Sequence, residues 1–159
     1  MTALGAALLV PILASAIGSA LTWNLTPSIP RGLYVRLPGI APCVGSTVEF
    51  PIPLAAKSVV SERRYLPGGA DLVKTVVAVP GDEVCLQQGR FEVRGRAIAA
   101  IQETDSRGRP LRPFGFCGPV PAGQAFVATT APLSFDSRYF GPVPLSTLTV
   151  VKPLWTFSR

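Results

Sequence analysis

The first 23 residues carry no charged side chain, and apolar positions run through them almost unbroken. At about 1.5 Å of rise per residue, a helix of that length crosses a hydrocarbon layer of ~30 Å. A membrane helix tolerates a proline such as Pro11, and Trp23 falls where an aromatic ring meets the lipid–water boundary. The expectation is a transmembrane anchor over residues 1–23 and a separate body over residues 24–159. Ala14-Ser15-Ala16 also offers an A-x-A-like cleavage signal, but no basic residue precedes the apolar run, so a retained anchor is the preferred reading. The first basic residue, Arg31, follows the span, and charge therefore leaves the topology open.

Beyond the anchor the periodicity shortens. Gly32–Leu37, Ser46–Phe50, Leu72–Val79, Glu83–Leu86, Arg90–Val93, Ala125–Thr129 and Thr147–Val151 are short and rich in β-branched residues, with Pro and Gly between them. They predict strands. Leu54–Leu66 predicts one helical insertion, with Pro51 and Pro53 before it and Pro67-Gly68-Gly69 after it. Residues 102–123 are rich in Pro, Gly and Arg and predict a long surface loop. Gly and Pro together make 32 of the 159 residues, which fits a turn-rich all-β body and not a helical bundle.

Composition narrows the chemistry. The chain has no histidine, which removes Ser-His-Asp and Cys-His catalysis and His-ligated metals together. Three Cys without a C-x-x-C pair argue against structural zinc. No P-loop, G-x-G-x-x-G or G-x-S-x-G stretch is present. Neither a metal nor a cofactor is expected. The net charge of +6 suits a basic surface beside anionic lipid headgroups. No Lys/Arg run exceeds Arg63-Arg64 and no aromatic stripe accompanies it, so nucleic-acid binding is not expected.

A nucleophile without histidine needs another base, and a neutral lysine is the known substitute in acyl transfer. The chain has three lysines. Lys57 and Lys152 have polar or turn-forming surroundings and read as solvated. Lys74 lies inside Leu72-Val73-Lys74-Thr75-Val76-Val77-Ala78-Val79, where strand alternation puts it on one face with Val76 and Ala78. On that face it is desolvated, and desolvation lowers an amine's pKa. An edge-strand lysine that blocks aggregation is the competing reading. Ser28, between Pro27 and Pro30, is the candidate partner, and its competing reading is an ordinary turn serine.

Three segments in order carry a resemblance. Thr26-Pro27-Ser28-Ile29-Pro30 with Gly32-Leu33-Tyr34 resembles the nucleophile box of bacterial type I signal peptidases, and its Gly-Leu-Tyr ending resembles the TraF-type conjugal transfer peptidases. Val73-Lys74-Thr75-Val76 with Pro80-Gly81-Asp82 resembles their lysine box. Ser134-Phe135-Asp136-Ser137-Arg138-Tyr139-Phe140-Gly141 resembles their C-terminal box. Arg63-Arg64-Tyr65-Leu66-Pro67 and Lys152-Pro153-Leu154-Trp155 are similar as well.

The resemblance implies a signal-peptidase-like, mainly antiparallel all-β catalytic body with one N-terminal transmembrane helix and a short helical insertion. Variable or cap regions are expected at about 51–70 and 87–123. It implies Ser28 as nucleophile and Lys74 as general base. The Thr26 hydroxyl and the Ser28 backbone N–H would form the oxyanion hole, and Ser134 would orient the lysine. Asp82, Asp136 and Arg138 would be structural residues near the site. Thr75 stands where many relatives have Arg, which removes one partner from Asp136. Implied substrates are pro-pilins or other membrane-inserted preproteins, cleaved on the periplasmic side of the bacterial inner membrane, with cyclisation of a pilin as an alternative to hydrolysis. The lipid bilayer and conjugation or type IV secretion components are the implied partners. That compartment permits disulfides. Of three possible pairings Cys85–Cys117, which flank the variable region, is the expected one and leaves Cys43 free. The rival readings are a general leader peptidase, a LexA-type self-cleaving repressor, which the anchor disfavours, and an inactive membrane-anchored scaffold.

Overall fold

The computed structural model describes residues 20–157. Their strands are β1 (Leu21–Asn24), β2 (Gly32–Arg36), β3 (Thr47–Phe50), β4 (Leu72–Ala78), β5 (Glu83–Gln87), β6 (Arg90–Val93), β7 (Arg96–Ala100), β8 (Phe116–Pro119), β9 (Gln124–Ala128), β10 (Val143–Pro144) and β11 (Thr149–Thr156). A 3-10 turn at Leu54–Ala56 leads into helix α1 (Lys57–Arg63), and helix α2 (Ser137–Phe140) follows β9. One sheet has the order β1-β2-β11-β3-β4-β9-β10 and a second has the order β7-β6-β5-β8. Every strand pairing is antiparallel.

Two apolar clusters fill the body. One joins Val48, Phe50, Val76 and Val127 of the larger sheet to Ala56 and Val60 around α1. The other joins Ala78, Phe126 and Ala128 to Val84, Leu86, Phe91 and Val93 of the smaller sheet. Val76 and Ala78 thus belong to different clusters, and a register shift in the β4–β9 pairing falls between them. Gly32 allows β2 to approach β11: its φ is +151°, and a Cβ there would sit 2.1 Å from the Trp155 carbonyl oxygen.

All seven predicted strands are present; six shift little at their ends, and the last, β11, runs five residues past its predicted end to Thr156. Two expectations change. Leu21–Trp23, read as the end of the anchor, lie in β1 and pair with β2 from Leu33 to Val35. In sequence the apolar N-terminal run continues into the residues of this edge strand, and hydropathy alone does not mark where the strand begins. Residues 1–19 of the expected anchor lie outside the described residues, and no described helix is long and apolar enough to cross a membrane. The predicted loop at 102–123 contains β8, which pairs with β5. There the Cys85–Cys117 disulfide links two residues directly opposite each other, and Cys43 is a free, exposed thiol. Three strands of the second sheet, β6, β7 and β8, lie within the expected cap region at 87–123.

Candidate active site

Residues 25–31 join β1 to β2, and the side chains of this short loop divide by direction. Ile29 points inward, where it packs with Tyr34, Val73 and Val151. Ser28 is half-buried and faces a cavity of about 430 Å³. Tyr34, itself buried, donates its hydroxyl hydrogen to the Pro30 carbonyl at 2.7 Å. Asn24, the last residue of β1, is only 2 % exposed. Its Nδ2 lies 3.0–3.1 Å from the carbonyl oxygens of Thr26, Ile29 and Pro30. Its Oδ1 accepts from the Thr26 backbone N–H at 3.2 Å and from the Thr26 hydroxyl at 2.9 Å.

Lys74 approaches the loop from β4. That strand lies between β3 and β9, so the edge-strand reading of this lysine does not hold. The side chain is 3 % exposed, and as an ammonium its Nζ donates to Ser28 Oγ at 2.7 Å. Thr26 Oγ1 lies 3.3 Å from the same Ser28 oxygen. Among the described residues no carboxylate forms a salt bridge with Lys74. Burial pushes its pKa from 10.5 down to about 8; the field of Asp136 opposes that shift and Arg138 adds to it. Ser28, Thr26 and Lys74 are therefore brought together at the cavity wall. Lys57 and Lys152 are exposed, as their surroundings predict.

The C-terminal box adds Ser134 and Phe135 to the cavity lining. Ser134 lines the same cavity as Lys74, but its buried hydroxyl has no hydrogen-bond partner among the described residues. The expected bond from Ser134 to the lysine amine is thus not made in this structure, in which Ser28 engages Nζ. Asp136 and Arg138 are fully buried and paired at 2.7 and 2.8 Å. Arg138 also donates to the carbonyls of Ala100, Thr129, Ala131 and Pro132, which fixes the 129–132 segment beside the cavity. Arg138 supplies the partner that Thr75 cannot give Asp136. Asp82 is structural but belongs to a different place: it accepts from the Val79 N–H and pairs with Arg94 at the β4–β5 turn, and it does not line the cavity.

Sequence reasoning missed two features. Asn24 is one; an Asx residue at a strand end just before a Pro-rich turn is a local signal for such a role. The other is a clasp between two residues of the cavity lining, Tyr65 and Asp105. Asp105 accepts from the Tyr65 hydroxyl at 2.6 Å, from Arg63 at 3.3 Å and from Arg109 at 2.7 Å. Desolvation opposes its ionisation, but bonds from the Tyr65 hydroxyl, the Arg109 and Arg107 backbone N–H groups and the Arg109 guanidinium hold its carboxyl well below the usual range, and those to Arg63 and Tyr65 tie residues 105–109 to the end of α1. Partners about 40 residues apart leave no periodic trace.

The chain belongs to the signal peptidase family, peptidase S26, whose profile matches residues 1–154. Among curated relatives, the conjugal transfer protein TraF of Agrobacterium tumefaciens (strain 15955) is 37% identical over 166 aligned positions, covering 96% of this chain and 93% of its own. The plasmid transfer protein TraF of Escherichia coli is 36% identical over 167 positions, covering 96% and 92%. The crystal structure of a signal peptidase I from Enterococcus faecalis V583 aligns with 74% of this chain and 97% of its own, with a TM-score of 0.40 and 20% identity.

Proposed function

We propose that this peptidase-family chain is a membrane-associated serine endopeptidase of conjugative transfer, with Ser28 as nucleophile and Lys74 as general base. Its substrates are pro-pilins or other membrane-inserted preproteins, and it works on the periplasmic side of the inner membrane. The observation that carries the reading is the 2.7 Å contact between Ser28 Oγ and a desolvated lysine amine. The TraF relatives support the conjugative setting.

With its pKa near 8, about a tenth of Lys74 is the free amine at pH 7. In that form the contact reverses, and Ser28 donates its hydroxyl proton to Nζ. Oγ attacks the scissile carbonyl carbon while Nζ takes the proton. The carbonyl π pair moves to oxygen, where the Ser28 N–H and the Thr26 hydroxyl receive it. Collapse expels the amine, which takes the proton from Lys74 and leaves an ester on Ser28. Water then attacks the ester, Lys74 accepts its proton, and Ser28 is released with a proton returned to Oγ. A substrate amine in place of water closes a peptide bond instead.

The exposed apolar side chains near this loop support a membrane-facing edge. Trp23 and Trp155 both stand opposite Leu33 in the β1-β2-β11 register. Trp155 packs on Phe157, and Leu25 and Leu154 are exposed beside them. Intact-mass measurement of a candidate pilin precursor incubated with the full-length chain in detergent tests the reading. Cleavage that disappears in Ser28→Ala and Lys74→Met supports it. The mass also separates a hydrolysed product from a cyclic one, which lacks the added water. Undiminished cleavage by both variants would overturn it.

A further inference from the structure

We propose that Asn24 is the positioning residue of the nucleophile loop, holding the Ser28 backbone and the Thr26 hydroxyl in one reactive arrangement. The inference rests on the Ser28–Lys74 reading and adds a residue that the chemistry itself does not name.

The Asn24 side chain hydrogen-bonds to residues 26–30, the segment that carries Ser28. The two halves of the amide do different work. The Nδ2 half shares its two hydrogens among the carbonyls of Thr26, Ile29 and Pro30, which lie on both sides of Ser28. This sets the loop path and with it the 2.7 Å contact to Lys74. The contacts also fix which end of the amide is which, because only the N–H₂ end can face three carbonyl oxygens. The Oδ1 half holds the Thr26 N–H and takes the Thr26 hydroxyl hydrogen. While Lys74 is an ammonium, Thr26 Oγ1 therefore keeps its lone pairs for the Ser28 hydroxyl 3.3 Å away. When charge develops on the substrate carbonyl, the same hydrogen turns from a neutral amide oxygen to an anionic oxygen, a stronger acceptor. Because Asn24 is buried, water cannot take over these bonds at little cost when the amide is removed.

The probe is the p-nitrophenyl ester of N-acetyl-alanine, with full-length protein in detergent. Ser28 Oγ attacks the ester carbonyl, the Ser28 proton passes to Lys74, and p-nitrophenolate leaves as a burst that reports acylation alone. Asn24→Asp keeps the size and the acceptor but turns an oxygen toward three carbonyls. It is expected to slow acylation by about 30-fold or more while half-saturation moves less than about threefold. The alkaline midpoint of its pH profile should also rise, because a carboxylate joins Asp136 in favouring the ammonium of Lys74 against the burial and the Arg138 charge that oppose it. In Asn24→Ala combined with Thr26→Val, the two losses should not multiply, because both variants break the same bond. If Asn24→Asp does not fold, Asn24→Ser, which retains a shorter donor and acceptor, carries the same expectation of slowed acylation. Folded Asn24 variants that acylate within about twofold of wild type with an unmoved midpoint would overturn the inference, as would fully multiplicative losses. A wild-type burst no larger than that of Ser28→Ala would instead overturn the Ser28–Lys74 reading on which it rests.

Discussion

Arg138 and Lys74 are both buried cations beside the same cavity, but their surroundings differ. Arg138 is fully enclosed, meets Asp136 with two charge-assisted bonds, and spends its other N–H groups on four backbone carbonyls. Lys74 is almost as deeply buried yet is bonded to a neutral hydroxyl, and the Asp136 charge reaches it only through space. A buried charge that is paired stays charged and holds structure. A buried amine without a bonded anion drifts toward its neutral form and becomes able to accept a proton. The cavity wall uses the first arrangement as scaffold and offers the second as chemistry.

Removing either side of the contrast should fail in different ways. The largest effect is on turnover: Ser28→Ala or Lys74→Met should lower cleavage by roughly 10⁴-fold or more, with the double variant little worse than either single, since the two act as a unit. A progress curve with a pilin precursor checks this. Next is Arg138→Met, which leaves the Asp136 carboxylate buried without its partner and should cost about 3–5 kcal/mol in urea unfolding. If Arg138→Met unfolds like wild type, the pair is not the scaffold of this wall.

Lys74→Met should do the opposite to stability. The lysine pKa falls from 10.5 in the unfolded chain to about 8 in the folded protein. Between those values the unfolded state binds more protons, so this group makes stability rise with pH, and its full penalty is present below pH 8. Lys74→Met should therefore be more stable than wild type by up to about 3 kcal/mol near pH 7. The gap should narrow as pH climbs toward 10. An advantage that is independent of pH would break the contrast. Smallest is Tyr34→Phe, which removes one donor from the Pro30 carbonyl while Asn24 still holds it. About 1 kcal/mol of stability should be lost, with cleavage reduced only modestly.

Much of this was legible in the chain. Absent histidine pointed to a lysine base, and the alternation around Lys74 singled out the buried one of three. The central strands were readable because β-branched runs between Pro and Gly signal burial on a sheet. β1 was not, because Leu21–Trp23 continue the apolar run of the N-terminus and pairing with β2 leaves no local mark. β8 was hidden by Gly118 and Pro119, which normally signal loops; it lies at a sheet edge, where a proline removes no ladder bond that is needed. The clasp on Asp105 depends on contacts distant in sequence, and the free hydroxyl of Ser134 depends on where Lys74 points. Neither is a property of a local pattern.

The most direct test of a lysine held near neutrality is its own titration. With 13C-labelled lysine there are three signals, and the one lost in Lys74→Met belongs to that residue. Its side-chain shift should titrate with a midpoint near 8. A midpoint at or above the ordinary lysine value of about 10.4 would contradict the account.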